Sequence, residues 1–133
     1  MKYLLDTDTI SFALRGQGGV AQRLLDHKPS QLAVSLISVA ELRYGADRKA
    51  SKRLHTLISR FLSPMEIIPF DEDAAEVFGR LGSLLARRGT PIGDFEVLIA
   101  AHALSRKHVL VTNNVRHFSR VPGLKLENWS DSG

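Results

Sequence analysis

A chain of 133 residues is long enough for one domain with a core of its own, and its 44% hydrophobic content is ordinary for a globular protein. No apolar run approaches the roughly 20 residues of a membrane span, and Asp6 and Asp8 interrupt the N-terminal apolar run, so it does not read as a leader. The absence of cysteine excludes disulfides and thiolate zinc sites and fits a reducing cytoplasm, while a formal charge of +4 permits a polyanionic partner.

Tyr3, Leu4 and Leu5 form a short apolar run without helical period, which reads as a strand buried on both faces. Thr9 and Ser11 open a short helix with Ile10, Ala13 and Leu14 inward, stopped by Gly16, Gly18 and Gly19. A second helix carries Val20, Leu24 and Leu25 as its apolar face, and Pro29 and Ser30 turn the chain into a strand at Leu32–Leu36. Ser38 is followed three residues on by Glu41, the spacing of a capping box, so the next helix is expected from Ser38 toward Asp47. Leu54, Leu57, Ile58, Phe61 and Leu62 recur at helical spacing, and Pro64 ends that helix.

Glu66–Ile68 is a short strand. Asp71 and Asp73 then start a long helix, where acids suit the positive end of the dipole, with Ala74, Val77, Phe78, Leu81 and Leu85 inward. A further helix over Asp94–Ser105 buries Val97, Leu98, Ala101 and Leu104. Val109–Val111 is a buried strand, followed by Thr112, Asn113 and Asn114 and a helical turn reaching Phe118. A last strand falls at Lys125–Leu126, and Trp129 pins the tail. Strands alternating with helices predict an α/β fold: a single domain over residues 1–133, with a mostly parallel central sheet flanked by helices.

In such a fold, strand C-termini and the N-termini of the following helices share one edge, where ligands bind. Asp6 and Asn114 each follow a buried strand, and Glu41 and Glu96 lie in early turns of helices, so the topology gathers them in one pocket. Each also has a plainer explanation. Asp6 serves equally as an N-cap, Glu41 as the partner in a capping box, and Asn113 and Asn114 as turn residues. Asp94 reads as the N-cap of its helix. The five histidines lack ligand spacing and read as packing or surface residues, and Arg48, Lys49, Lys52 and Arg53 read as a solvated face. Clustered carboxylates stay ionised only beside a cation, and hard oxygen donors favour Mg²⁺ or Mn²⁺ over zinc.

The ordered set LLDTD, SVAEL with Gly45, RRGTPIGDFEVLIAAHAL, LVTNNVRHF and VPGLKLENW resembles the PIN domains, and more narrowly the VapC-type toxins of bacterial toxin–antitoxin pairs. The resemblance covers nearly the whole chain. It implies a PIN-like nuclease domain, a Mg²⁺-dependent endoribonuclease with an RNA substrate, and a cognate antitoxin whose tail occupies the acidic pocket. It also implies a homodimer, for which the apolar helix around Leu54–Leu62 is the expected surface. Carried over by position, the family's acids fall on Asp6, Glu41 and Glu96, the fourth polar residue falls on Asn114, and Thr7 and Thr112 flank the pocket. Asp6, Glu41 and Glu96 are thereby implied as metal ligands.

One departure stands out. The third acid is usually Asp, and Glu96 extends it by one methylene, where site groups need placing within about half an ångström. This keeps open a catalytically impaired PIN-like module that binds RNA or a partner. A second alternative is a haloacid-dehalogenase-like phosphotransferase, suggested by YLLDTDT with Asp6 as nucleophile and Asp8 as acid. Its later motif fails, because Leu98 stands where an acid is needed.

Overall fold

The computed structural model describes residues 1–130. Five strands, β1 (Tyr3–Leu5), β2 (Leu32–Ser35), β3 (Glu66–Ile68), β4 (Val109–Val111) and β5 (Leu126–Glu127), form one sheet in the order β3-β2-β1-β4-β5. Every pairing is parallel. The α/β expectation holds, with the sheet wholly rather than mostly parallel.

Because strand side chains alternate between faces, Leu4 and Leu5 enter different cores. Leu4, Ala33, Ile68 and Leu110 pack with α5 (Glu72–Arg87) and α6 (Asp94–Arg106), through Leu81, Leu85, Val97 and Ala101. Leu5, Val34 and Val111 pack on the other face with α1 (Thr7–Arg15), α3 (Leu36–Arg48) and α4 (Lys52–Leu62), through Ile10, Leu42, Ala46 and Ile58. Of the short helix α2 (Val20–Leu25), Val20 is buried, whereas Leu25, expected inward, is 81% exposed. Leu24, one turn on from Val20, packs partly buried against the core, so two of the three expected positions face inward. The apolar stripe of α4 is likewise turned inward, with Ile58 and Leu62 buried and Leu54 and Phe61 packed against them. Most of that stripe therefore serves the fold, with Leu57 half-buried beside it.

Gly16 ends α1 as expected, in a left-handed conformation (φ 66°) that lets its N–H cap Ala13 and Phe12. Trp129 is fully buried, stacked on His27 at 4.5 Å, and its indole N–H donates to Glu127 at 2.9 Å. It pins the tail as the sequence suggested.

Chain order fixes where a ligand fits. From β1 the chain moves outward to β2 and β3, then crosses back to β4 on the far side of β1. The crevice where the direction reverses opens at the carboxyl ends of β1 and β4. Leu5 is in register with both Val34 and Val111, so the next residues, Asp6, Ser35 and Thr112, emerge together on that edge.

Candidate active site

Asp6 leaves β1 with its N–H donating to the Val111 carbonyl at 3.0 Å, and its backbone is extended (φ −80°, ψ 170°). Its Oδ1 accepts the Thr9 N–H at 2.8 Å, so it is the N-cap of α1, which begins at Thr7 rather than at Thr9. A cap and a place on the pocket wall coexist in this one residue. The side chain is only 5% exposed, and burial pushes the carboxyl pKa up to about 6. Hydrogen bonding by the Thr112 hydroxyl and the Thr9 N–H opposes this shift, and the nearby Asp8 charge adds to it; the Thr9 hydroxyl donates to the Val111 carbonyl at 3.1 Å. Thr112 is itself buried, and its Oγ1 accepts the Asn114 N–H at 2.9 Å. One threonine therefore ties Asp6 to the β4–α7 turn, where α7 is Val115–Phe118.

The capping-box account of Glu41 is overturned. Helix α3 starts at Leu36, with Ser35 as N-cap accepting the Ile37 N–H at 3.1 Å. Buried His102 on α6 hydrogen-bonds the same Ser35 hydroxyl at 2.8 Å, a contact across 67 residues that selects Ser35 over Ser38. Ser38 lies inside the helix, its buried hydroxyl without a partner among the described residues. Glu41 is thus well past the first turn and caps nothing. Its Oε1 instead accepts the Thr7 hydroxyl at 2.6 Å, which binds α3 to α1 beside Asp6.

The start of α6 also differs from expectation. Gly93, not Asp94, is the N-cap, and the side chain that reaches back to it is Glu96, whose Oε1 accepts the Gly93 N–H at 2.9 Å. The reason is geometric: the third helical residue can fold back on the cap, whereas Asp94 occupies the first position and is exposed. Glu96 also accepts a hydrogen bond from the Asn114 side-chain amide and lies 3.0 and 3.1 Å from His117 Nδ1 through its two oxygens. Asn114 is the residue before α7 but makes no side-chain cap; its amide serves Glu96.

These residues border one cavity of about 70 Å³, several times the roughly 10–15 Å³ that a water needs. Asp6, Thr7, Asp8, Glu41, Phe95 and Glu96 line it, with no lysine or arginine among its lining residues. Asp94 is not on its wall. The expected acids therefore do share a pocket, with Thr112 and Asn114 hydrogen-bonded to two of them. They do not converge on a point: among the described residues, no three acidic or histidine side chains stand ready to hold one ion. Glu41 is drawn to Thr7, and Glu96 to Gly93, Asn114 and His117. Three neighbours escaped sequence reasoning. His117 had a signal, being one helical turn beyond Asn114. Phe95 (54% exposed) and Tyr44 (69% exposed) flank an adjoining cleft that shares Thr7 and Glu41 with the acidic pocket. Basic Arg48, Lys49, Lys52 and Arg53 are exposed and do not line the acidic pocket.

Residues 3–124 match the PIN domain family. The chain belongs to that family. This PIN domain is 37% identical to the tRNA(fMet)-specific endonuclease VapC of Salmonella typhimurium, over 97% of this chain and 98% of that protein. It is 36% identical to Ribonuclease VapC2 of Rickettsia felis over similar shares, 97% and 98%. Among solved structures it resembles DNA-bound VapBC from Salmonella typhimurium, with a TM-score of 0.91, 37% identity, and 97% and 98% of the two chains covered. VapBC2 from Rickettsia felis, bound to a DNA fragment from its promoter, gives 0.89, 35%, 97% and 99%. This PIN domain is therefore of the VapC type, and the phosphotransferase alternative falls.

Proposed function

We propose that this PIN domain is a Mg²⁺-dependent endoribonuclease, the toxin of a toxin–antitoxin pair, with Mn²⁺ as an alternative ion. The observation that carries the reading is the cavity at the sheet's switch point, lined by Asp6, Glu41 and Glu96 without a balancing base. Its donors are hard oxygens of the kind Mg²⁺ prefers, and a cation there would offset the burial that raises the Asp6 carboxyl to about 6. Asp6, Glu41 and Glu96 would hold the ion. Bound there, it supplies the charge that acidifies an attacking water and offsets the charge on the leaving oxygen of a phosphodiester.

The chain's own groups prepare that chemistry. Thr112 orients Asp6, Thr7 holds Glu41, and Asn114 holds Glu96. Tyr44 and Phe95 offer aromatic faces beside the acids, on which the bases of single-stranded RNA can stack. Similarity to relatives named as endonucleases or ribonucleases supports an RNA substrate. Similarity to VapBC complexes supports a cognate antitoxin. No helix among the described residues is long and apolar enough to cross a membrane, which accords with action on cytoplasmic RNA. A homodimer is proposed on family resemblance, and sedimentation at micromolar concentration tests it.

The deciding experiment incubates the protein with a panel of structured and single-stranded RNAs in Mg²⁺, in Mn²⁺ and in EDTA, beside Asp6→Asn. Cleavage by the parent alone, lost in EDTA, is expected. Cleavage that persists in EDTA overturns the metal requirement. RNA binding without cleavage under every condition favours the impaired module that Glu96 kept open.

A further inference from the structure

We infer that His117 is a positioning residue for Glu96, the anchor that lets a glutamate serve where a shorter acid would reach the ion directly. The inference rests on the metal-dependent reading above. Three donors from three segments meet the Glu96 carboxylate: the Gly93 N–H ahead of α6, the Asn114 amide in the β4–α7 turn, and His117 Nδ1 on α7. A carboxylate only accepts, so the ring nitrogen that faces both of its oxygens carries the hydrogen. That assignment leaves the Asn114 amide, 3.2 Å from the same nitrogen, donating to Glu96 rather than to the ring.

His117 contributes little to the fold by burial. Phe118 supplies the packing of α7 at 3% exposure, while the His117 side chain is 42% exposed. The ring's hydrogen-bonding neighbours among the described residues are Glu96 and Asn114, both at the pocket. A free glutamate at this position would sample several rotamers and carry its charge in and out of the cavity. Folding back on Gly93 takes up the extra methylene, and His117 with Asn114 fixes the plane of the carboxylate. Supporting hydrogen bonds of this kind orient a ligand and tune its affinity for a metal.

The test is a cycle of His117→Ala, Glu96→Asp and the double variant, with His117→Asn added because its amide nitrogen can replace Nδ1. Two readouts are taken. Mn²⁺ affinity by titration calorimetry should weaken about tenfold in His117→Ala, the scale for loss of a ligand's supporting hydrogen bond, and recover in His117→Asn. In the Glu96→Asp background, where the carboxylate retreats by about one C–C bond of 1.5 Å, removing His117 should change nothing. Hydrogen exchange of the Gly93 amide in metal-free protein should speed up in His117→Ala and return toward the parent rate in His117→Asn. Equal losses of Mn²⁺ affinity in both backgrounds overturn the inference. Tighter Mn²⁺ binding in His117→Ala also overturns it, by making His117 a restraint instead of a support. If the parent binds no Mn²⁺, the metal reading fails, and an unchanged Gly93 exchange rate then decides separately against the anchor.

Discussion

Replacing Asp6 by Asn should stabilise the metal-free protein while abolishing its activity. Burial raises the folded-state pKa of Asp6 from 3.8 to about 6. A carboxyl whose pKa rises on folding binds more protons in the native state, so its favourable contribution is complete below the unfolded value and is lost as pH climbs through about 6. The shift of about two units corresponds to about 3 kcal/mol at neutral pH, at 1.36 kcal/mol per unit. Asn caps a helix about as well as Asp and still accepts from the Thr9 N–H, so the variant keeps the cap and sheds the buried charge. Thermal melts in EDTA near pH 7.5 should place Asp6→Asn roughly 10 °C above the parent, from about 3 °C per kcal/mol for a domain of this size. Near pH 3.5 the two should coincide. Mg²⁺ should then lift the parent alone, by about 2.7 kcal/mol at a hundred times its Kd, and close the gap. A variant that melts at or below the parent in EDTA at neutral pH refutes the premise that Asp6 is strained by uncompensated burial.

Glu41→Gln keeps the Thr7 hydrogen bond and should alter stability by less than about 0.5 kcal/mol, yet eliminate RNA cleavage, as denaturant titration and a cleavage assay will register. Asp94→Ala removes no cap, because Gly93 and Glu96 do that work; it should cost only the dipole contribution of about 0.3–1 kcal/mol and leave cleavage intact. An inactive Asp94→Ala paired with a fully active Glu96→Gln would show the third acid to be misassigned. Tyr44→Ala and Phe95→Ala should each raise KM for RNA several-fold with little change in kcat, since one stacked base is worth about 1–3 kcal/mol. Unchanged KM in both would remove the aromatic cleft from the substrate path.

The strands were legible because each is a brief apolar run closed by turn chemistry, and their alternation with helices dictated a parallel sheet. Helix starts were less legible, and the failures share a cause. At Ser35 against Ser38, the capping preference is nearly equal, and a histidine 67 residues away breaks the tie. At Gly93 against Asp94, a glycine has no side chain to advertise a cap, and the reciprocal contact comes from Glu96. The pocket membership of Asp6, Glu41 and Glu96 followed from topology, but their failure to converge did not. Glu41 is hydrogen-bonded to Thr7, and Glu96 to Gly93, Asn114 and His117, contacts that only folded distances reveal.

Capping and a place in the pocket, rival readings for Asp6 in the sequence, coincide there in the structure, and Glu96 combines the two as well. In a parallel sheet the edge that binds ligands is also where helices begin, so an acid placed to meet a ligand is already near unpaired backbone N–H groups. Asp6 accepts the Thr9 N–H, and Glu96 accepts the Gly93 N–H, each holding a carboxylate in place before any ion arrives. Glu41 breaks the pattern. It sits beyond the first turn of α3 and satisfies no backbone donor, and its hydrogen bond is to Thr7, itself on the cavity wall. Of the three acids, Glu41 is therefore the one whose presence local structure cannot explain, and its loss separates chemistry from stability most cleanly.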